Sequence, residues 1–319
     1  MNEDYLWDKS GEPDPEVQRL ENLLAPLGHK LDKTPVLSLP KPIRVPYLLA
    51  IAASLLVLGG AVWVAWQRTR PAWQVATVSG TPSLKRLAKG ESISTDSESQ
   101  ALLNLNDVGE VEVEPNTRLS VLAIRPDEQR LELDHGTIHA LIWAPPGRFI
   151  VNTPSAQTVD LGCQYTLNVD ASGVGLVEVS VGWVAFENEG RESFIPAGAA
   201  CVTRPGKGPG IPYYQDASSE LIDALHRFDA NADQSAVAVI LVKARPRDAI
   251  SLWHLLRRVQ PADRGLVYDR LAQFVTLPGD VTREGVLAAN PQMIDSLWNT
   301  LDLGNTSWWR MWKSRGPNH

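Results

Sequence analysis

The sequence predicts a membrane-anchored, multi-domain protein. Its parts are a short N-terminal helix, one transmembrane helix, an all-β domain of short strands (solenoid-like or a sandwich) and a C-terminal all-α domain. Three observations predict this. An uncharged apolar run, YLLAIAASLLVLGGAVWVAW, occupies residues 47–66. Short alternating segments split by Gly, Pro, Asn and Asp fill residues 72–212. From residue 215 onward the apolar period changes from strand-like to helical.

The first element lies in residues 1–45, within DPEVQRLENLLAPLGHK, and is expected over about 14–28. Asp14 suits the N-cap, Pro15 the first helical position and Glu16 the positive end of the helix dipole. Val17, Leu20, Leu24 and Leu27 share one face, with Leu23 beside it. So short a segment offers this stripe no partner. It either lies on a membrane surface or docks in another protein's groove, and docking is the sharper expectation. Tyr5, Leu6 and Trp7 would extend the stripe. Pro35, Pro40, Pro42 and Pro46 make residues 31–46 a stiff, non-helical spacer.

The second element, residues 46–66, reads as a membrane span. A helix of that length covers roughly 30 Å, the thickness of a bilayer's hydrocarbon core. The run is apolar on every side, with Tyr47, Trp63 and Trp66 placed for the interfaces. The chain opens MNEDYLWD, too acidic for a signal peptide, and the run begins too far in. Lys33, Lys41 and Arg44 before it outnumber Arg68 and Arg70 after it, which leans towards a cytoplasmic N terminus.

In the third element EVEVEP, RLSVLAI, RLELDHG, TIHALIW and RFIVN read as successive short strands. Many short strands at nearly even spacing imply an antiparallel or solenoid-like layer, not a βαβ fold. The fourth, residues 215–319, carries five or six helical segments, including SSELIDALHRF, RDAISLWHLLRRV and NPQMIDSLWNTL.

Residues 149–184 are more specific. FIVNTPSAQTVDLGCQYTLNVD and VEVSVGWVAF resemble the FecR domain family, whose pattern runs F-x-V-x-T-P, G-T-x-F-x-V and V-x-V-x-x-G-x-V. Phe149, Val151, Thr153 and Pro154 match the first part; Gly162, Tyr165 and Leu167 the second, with Cys163 where threonine is usual; Val177, Val179, Gly182 and Val184 the third. The likeness covers roughly residues 95–205. By themselves these residues describe a scaffold: Val159, Leu161, Cys163, Tyr165 and Leu167 alternate towards a core, and the glycines suit bends or close approaches.

The resemblance implies an anti-sigma-factor-like regulator in signal transduction and transcription regulation. In such proteins a cytoplasmic N-terminal segment contacts an extracytoplasmic-function sigma factor, one helix crosses the bacterial inner membrane, and the FecR domain senses the periplasm. The expected partners are therefore the bilayer, a sigma factor and an unknown periplasmic protein or polymer. Tyr5, Trp7, Val17, Leu20, Leu24 and Leu27 would hold the cytoplasmic partner. The N-terminal part is shorter than the family's usual one. The C-terminal part is helical where iron-signalling members carry a small α+β module, so no transporter or siderophore is carried over. The alternative is an envelope-binding or structural module with no transcriptional role.

Cys163 and Cys201 either pair, as cysteines outside the cytoplasm tend to, or remain two separate buried thiols. No catalytic, metal or cofactor site is expected, nor a nucleic-acid partner, given a net charge of -7 and no long basic run. DANADQSAVAVI at 229–240 begins like a calcium loop but lacks its glycine and its closing glutamate, so it reads as a turn and helix cap. GKGPG at 206–210 lacks the ending of a phosphate loop. Trp308, Trp309 and Trp312 in SWWRMWK are expected to fold back on the helical domain rather than to meet a membrane or ligand.

Overall fold

A computed structural model describes residues 10–27, 52–63, 71–78, 84–301 and 303. The chain forms two compact units, Met1–Gln67 and Arg68–His319.

In the first unit α1 spans Pro15–Leu24 and runs into a 3-10 turn over Ala25–Leu27. The Asp14 carboxylate accepts the Glu16 N–H at 3.0 Å, satisfying one free donor of the first turn. A second helix, α2, covers residues 52–63. Among the described residues no helix is long and apolar enough to cross a membrane. This corrects the sequence reading. The membrane-anchored fold class, the transmembrane helix over 46–66 and the single-pass inner-membrane localisation with a periplasmic C-terminal part are not supported by the described residues. The described helical residues of the run, 52–63, are fewer than the roughly 20 that a span needs. Residues 46–51 and 64–66 of that expectation lie outside the described residues.

In the second unit the strands come first. They are β1 (Ala72–Thr77), β2 (Leu84–Ala88), β3 (Ser92–Ser94), β4 (Ala101–Asn104), β5 (Gly109–Val113), β6 (Arg118–Ile124), β7 (Gln129–Ile142) and β8 (Phe149–Asn152). Next come β9 (Gln157–Asp160), β10 (Gln164–Val169), β11 (Gly175–Val181), β12 (Trp183–Asn188), β13 (Arg191–Pro196), β14 (Ala199–Arg204), β15 (Gly208–Pro209) and β16 (Tyr213–Tyr214). The organising element is β7. Its first half pairs with β6 and, in parallel, with β8. Its second half pairs with β5 and β10.

One strand thus serves two layers. β3, β6, β8, β9, β12 and β13 build one layer around the first half; β2, β1, β4, β5, β10, β11, β14, β15 and β16 build the other around the second. RLELDHG and TIHALIW, expected as two strands, are therefore one. The hinge is Gly136, at φ +102°, where a Cβ would lie 2.3 Å from the Thr117 hydroxyl. A side chain there would block the bend. The inner faces of both layers close on one core that includes Leu119, Leu131, Leu133, Ile138, Phe149, Tyr165 and Leu167. Burial alternates along β6 and β10 as a half-buried strand requires.

The helices of this unit are α3 (Ser219–Asn231), α4 (Ser235–Lys243), α5 (Ala249–Leu256), α6 (Pro261–Leu271), α7 (Arg283–Leu287) and α8 (Pro291–Trp298). Every residue of α5 is buried, which its sequence allows because AISLWHLL has no charged side chain. Ser251 on α5 donates to the Pro212 carbonyl at 2.7 Å, and the Trp253 indole donates to the Ile294 carbonyl of α8 at 2.8 Å. Trp298 stands 5.1 Å from Phe194, 6.3 Å from Trp183 and 4.7 Å from Trp253, centroid to centroid. Strands and helices therefore share one hydrophobic core.

Candidate functional site

The N-terminal stripe is a solvent-facing surface. Leu20, Leu23, Leu24 and Leu27 are between 56% and 79% exposed, and Val17 is half-buried. Their side chains project from α1 because residues three and four apart fall on one face. Tyr5 and Trp7 lie outside the described residues.

The motif positions of the second unit lie in the strands and turns that carry the two layers together. Phe149 and Val151 of β8 and Val184 of β12 are fully buried. Thr153 closes the β8–β9 turn: its hydroxyl donates to the Ala156 carbonyl at 2.7 Å and accepts the Ala156 N–H at 3.0 Å. Pro154, beside it, is exposed and borders Gly173. Val159, Leu161, Cys163, Tyr165 and Leu167 are all buried, as their alternation predicts. Gly162 (φ +84°) and Gly182 (φ +74°) sit at the two bends that carry the chain between layers.

Asp160 interrupts that alternation and is itself buried. One carboxylate oxygen accepts the Gly162 N–H at 2.7 Å, and the other accepts the Cys163 thiol. Burial pushes the carboxyl up to about 7, which its two donors only partly offset. Burial, with the Asp160 charge beside it, pushes the Cys163 thiol far up, and the Tyr165 phenol as well. Cys163 and Cys201 are two free buried thiols, so the pairing left open by the sequence is not formed. Cys201 Sγ donates to the Gly210 carbonyl at 3.3 Å, and burial pushes it up to about 12. Neither is a thiolate at neutral pH, the form a nucleophile or metal ligand needs.

A second polar cluster joins β13 to the helices, and the sequence did not reveal it. The Asp229 carboxylate of α3 accepts the Ile211 N–H at 2.6 Å. It also faces Arg191 of β13 and Arg258, just beyond α5, each at 3.4 Å. Arg258 donates to the Ser193 hydroxyl at 2.7 Å and the Glu192 carbonyl at 3.1 Å. Burial, with Arg191 and Arg257 nearby, brings Arg258 down to about 10 against the pull of Asp229. His254 accepts the Phe194 N–H at 3.3 Å. Burial and the positive charges of Arg258 and Arg257 hold it well below the usual histidine range, hence neutral.

Arg191, His254, Arg257 and Arg258 border a hollow of about 420 Å³ with Glu189 and Glu192. Within DANADQ, then, Asp229 is a structural anchor, while Asp233 accepts the Ser235 N–H at the start of α4. In GKGPG, Gly210 is required because a Cβ would lie 2.6 Å from the Asp229 carboxylate. The missed signal was the joint presence of an acid in a helix and an arginine at a helix end, a pairing that only three-dimensional proximity identifies.

Comparison with known proteins bears on the strand region. The family model described as FecR protein matches residues 91–185, from the residue before β3 into β12. The resemblance seen in the motifs is therefore shown for that segment. No curated protein matches the chain. Two crystal structures of a candidate anti-sigma factor from Parabacteroides distasonis ATCC 8503, at 1.65 Å and 2.50 Å resolution, are similar to it. Each is 17% identical with a TM-score of 0.35, covering 43% of this chain. The chain spans less than two thirds of their length, 65% and 64% respectively.

Proposed function

We propose that this chain is an anti-sigma-factor-like regulator that works by protein–protein contact rather than by catalysis. The observation that carries this reading is α1. Its leucine stripe faces solvent on a helix in a compact unit separate from the FecR-type strands. An amphipathic helix of this kind fits an apolar groove, with i, i+3, i+4 and i+7 anchors. In this reading Val17, Leu20, Leu24 and Leu27 hold a transcription factor, an extracytoplasmic-function sigma factor, and the strand unit meets the signal that sets how much of it is held. Coupling of that kind is a difference in affinity between two states of the chain.

The test is co-purification of the full chain with a co-expressed sigma factor from the same genome. The expected result is retention by the native chain and its loss on Leu20→Asp/Leu24→Asp. Equal retention by the double variant, or none by the native chain, overturns the proposal.

A further inference from the structure

The outer face of the second strand layer carries an apolar row and unmatched negative charge, and neither belongs to the core or to α1. Glu110 of β5, Leu141 of β7, Gln164 of β10 and Val181 of β11 stand side by side in register. Leu102, Glu112, His139, Thr166 and Glu178 form the next row on the same face. Past the end of β7 the alternation continues: Ile142 and Ala144 are buried, and Trp143 between them points out with Leu141.

Leu141, Trp143 and Val181 are 46%, 55% and 57% exposed. A strand residue facing water is ordinarily polar, and an exposed tryptophan beside two aliphatic side chains is the composition of an interface centre. Between the rows lies a hollow of about 220 Å³ whose walls include Leu102, Leu141, Gln164, Glu110 and Glu112.

Around the apolar row the charge has one sign; the cation of the same face, Arg86 of β2, lies in the row of Glu110 but three strands away, across Gln74 of β1 and Asn104 of β4. β5, the second half of β7, β10 and β11 contain no Lys or Arg. Glu178 bonds Gln215 at 2.7 Å, and Glu114 bonds His139 at 3.1 Å. The side-chain carboxylates of Glu110 and Glu112 have no hydrogen-bond or ion-pair partner among the described residues. A second copy of the same face would bring like charges together, which disfavours a symmetric pair.

We propose that this face is a docking surface for a partner protein segment that presents an apolar row flanked by Lys or Arg. Its apolar side chains cover Leu141, Trp143 and Val181, and its cations meet Glu110 and Glu112. This interface is separate from the α1 stripe and does not depend on the function proposed for that helix.

The probe is a synthetic amphipathic helix of Leu, Trp and Lys, with a Glu-for-Lys counterpart, titrated by anisotropy against the full chain. The expected result is that the Lys peptide binds and the Glu peptide binds at least about tenfold more weakly. Leu141→Ser/Trp143→Ser and Glu110→Gln/Glu112→Gln should each weaken the Lys peptide by about tenfold or more. Glu284→Gln, on α7, serves as a control for general attraction to an acidic protein and should change nothing. Unchanged melting temperatures establish that the variants are folded. Binding that survives both double substitutions, or falls equally with Glu284→Gln, overturns the proposal. So does a native chain whose sedimentation shows a dimer that Trp143→Ser dissociates, since the face would then belong to a second copy.

Discussion

Gly182 closes directly on the carbonyl of Gly162: a Cβ on Gly182 would lie 2.2 Å from that oxygen. The two bends that carry the chain between strand layers, β9 to β10 and β11 to β12, therefore touch backbone to backbone. Both glycines have positive φ, but only Gly182 also lacks space, because nothing stands within 4 Å of a Cβ on Gly162. Gly162→Ala should cost about 1 kcal/mol, the backbone penalty alone. Gly182→Ala adds a steric conflict with fixed backbone and should cost about 3 kcal/mol. Urea midpoints of the two variants check this, and equal losses would contradict the contact.

Asp160 makes stability depend on pH. Its carboxyl is raised from 3.8 to about 7 in the folded chain, by burial first. Between those values the folded state holds a proton that the unfolded state has released, so stability falls as pH rises from about 4 to about 7 and is then flat. The full displacement corresponds to at most about 4 kcal/mol. Asp160→Asn keeps an acceptor for the Gly162 N–H and removes the titration. The variant's stability relative to the native chain should therefore climb across that window and level off above it. Denaturant titrations at pH 4.5, 6 and 8 measure the difference, and a constant difference would show that Asp160 is not the group responsible.

Asp229→Ala should be among the most damaging single changes, about 3–5 kcal/mol. It leaves the buried Arg258 without its carboxylate and the Ile211 N–H without an acceptor. Asp229→Asn retains the acceptor and should cost less. Arg258→Met combined with Asp229→Asn should recover part of the loss, because no unpaired buried charge remains between that pair. The double-mutant cycle, read by thermal unfolding, checks the coupling.

Trp298 ties α8 to the strands through Trp183 and Phe194 and to α5 through Trp253. Trp298→Ala should cost about 3–5 kcal/mol. Hydrogen exchange should show the loss in α8, α5 and the β12–β13 hairpin together. An effect confined to α8 would mean that strands and helices do not share one cooperative core.

The alternating run from Val159 to Leu167 was legible because strand period alone decides which side chains face inward. The glycine positions were legible as bends, but their mutual contact was not, since it joins positions twenty residues apart. β7 reads as two strands in one dimension because Gly136 looks like a separator; only the register with β6 on one side and β10 on the other shows that the strand continues. Asp229 shares its spacing with calcium loops, and the arginines that occupy it come from β13 and the end of α5. The apolar run at 47–66 reads as a span from composition, yet among the described residues no helix is long and apolar enough to cross a membrane.

The sequence by itself determined the local periods: a leucine stripe on α1, half-buried strands from Ala72 to Tyr214, and helices from Ser219 onward. These arise from side chains a few residues apart, whose geometry is set by the backbone. Only the tertiary structure decided that β7 belongs to two layers, that strands and helices share one core, and that Asp229 faces two arginines. Those facts depend on contacts between distant segments, where packing and the burial of charge choose among arrangements that local propensity leaves equal.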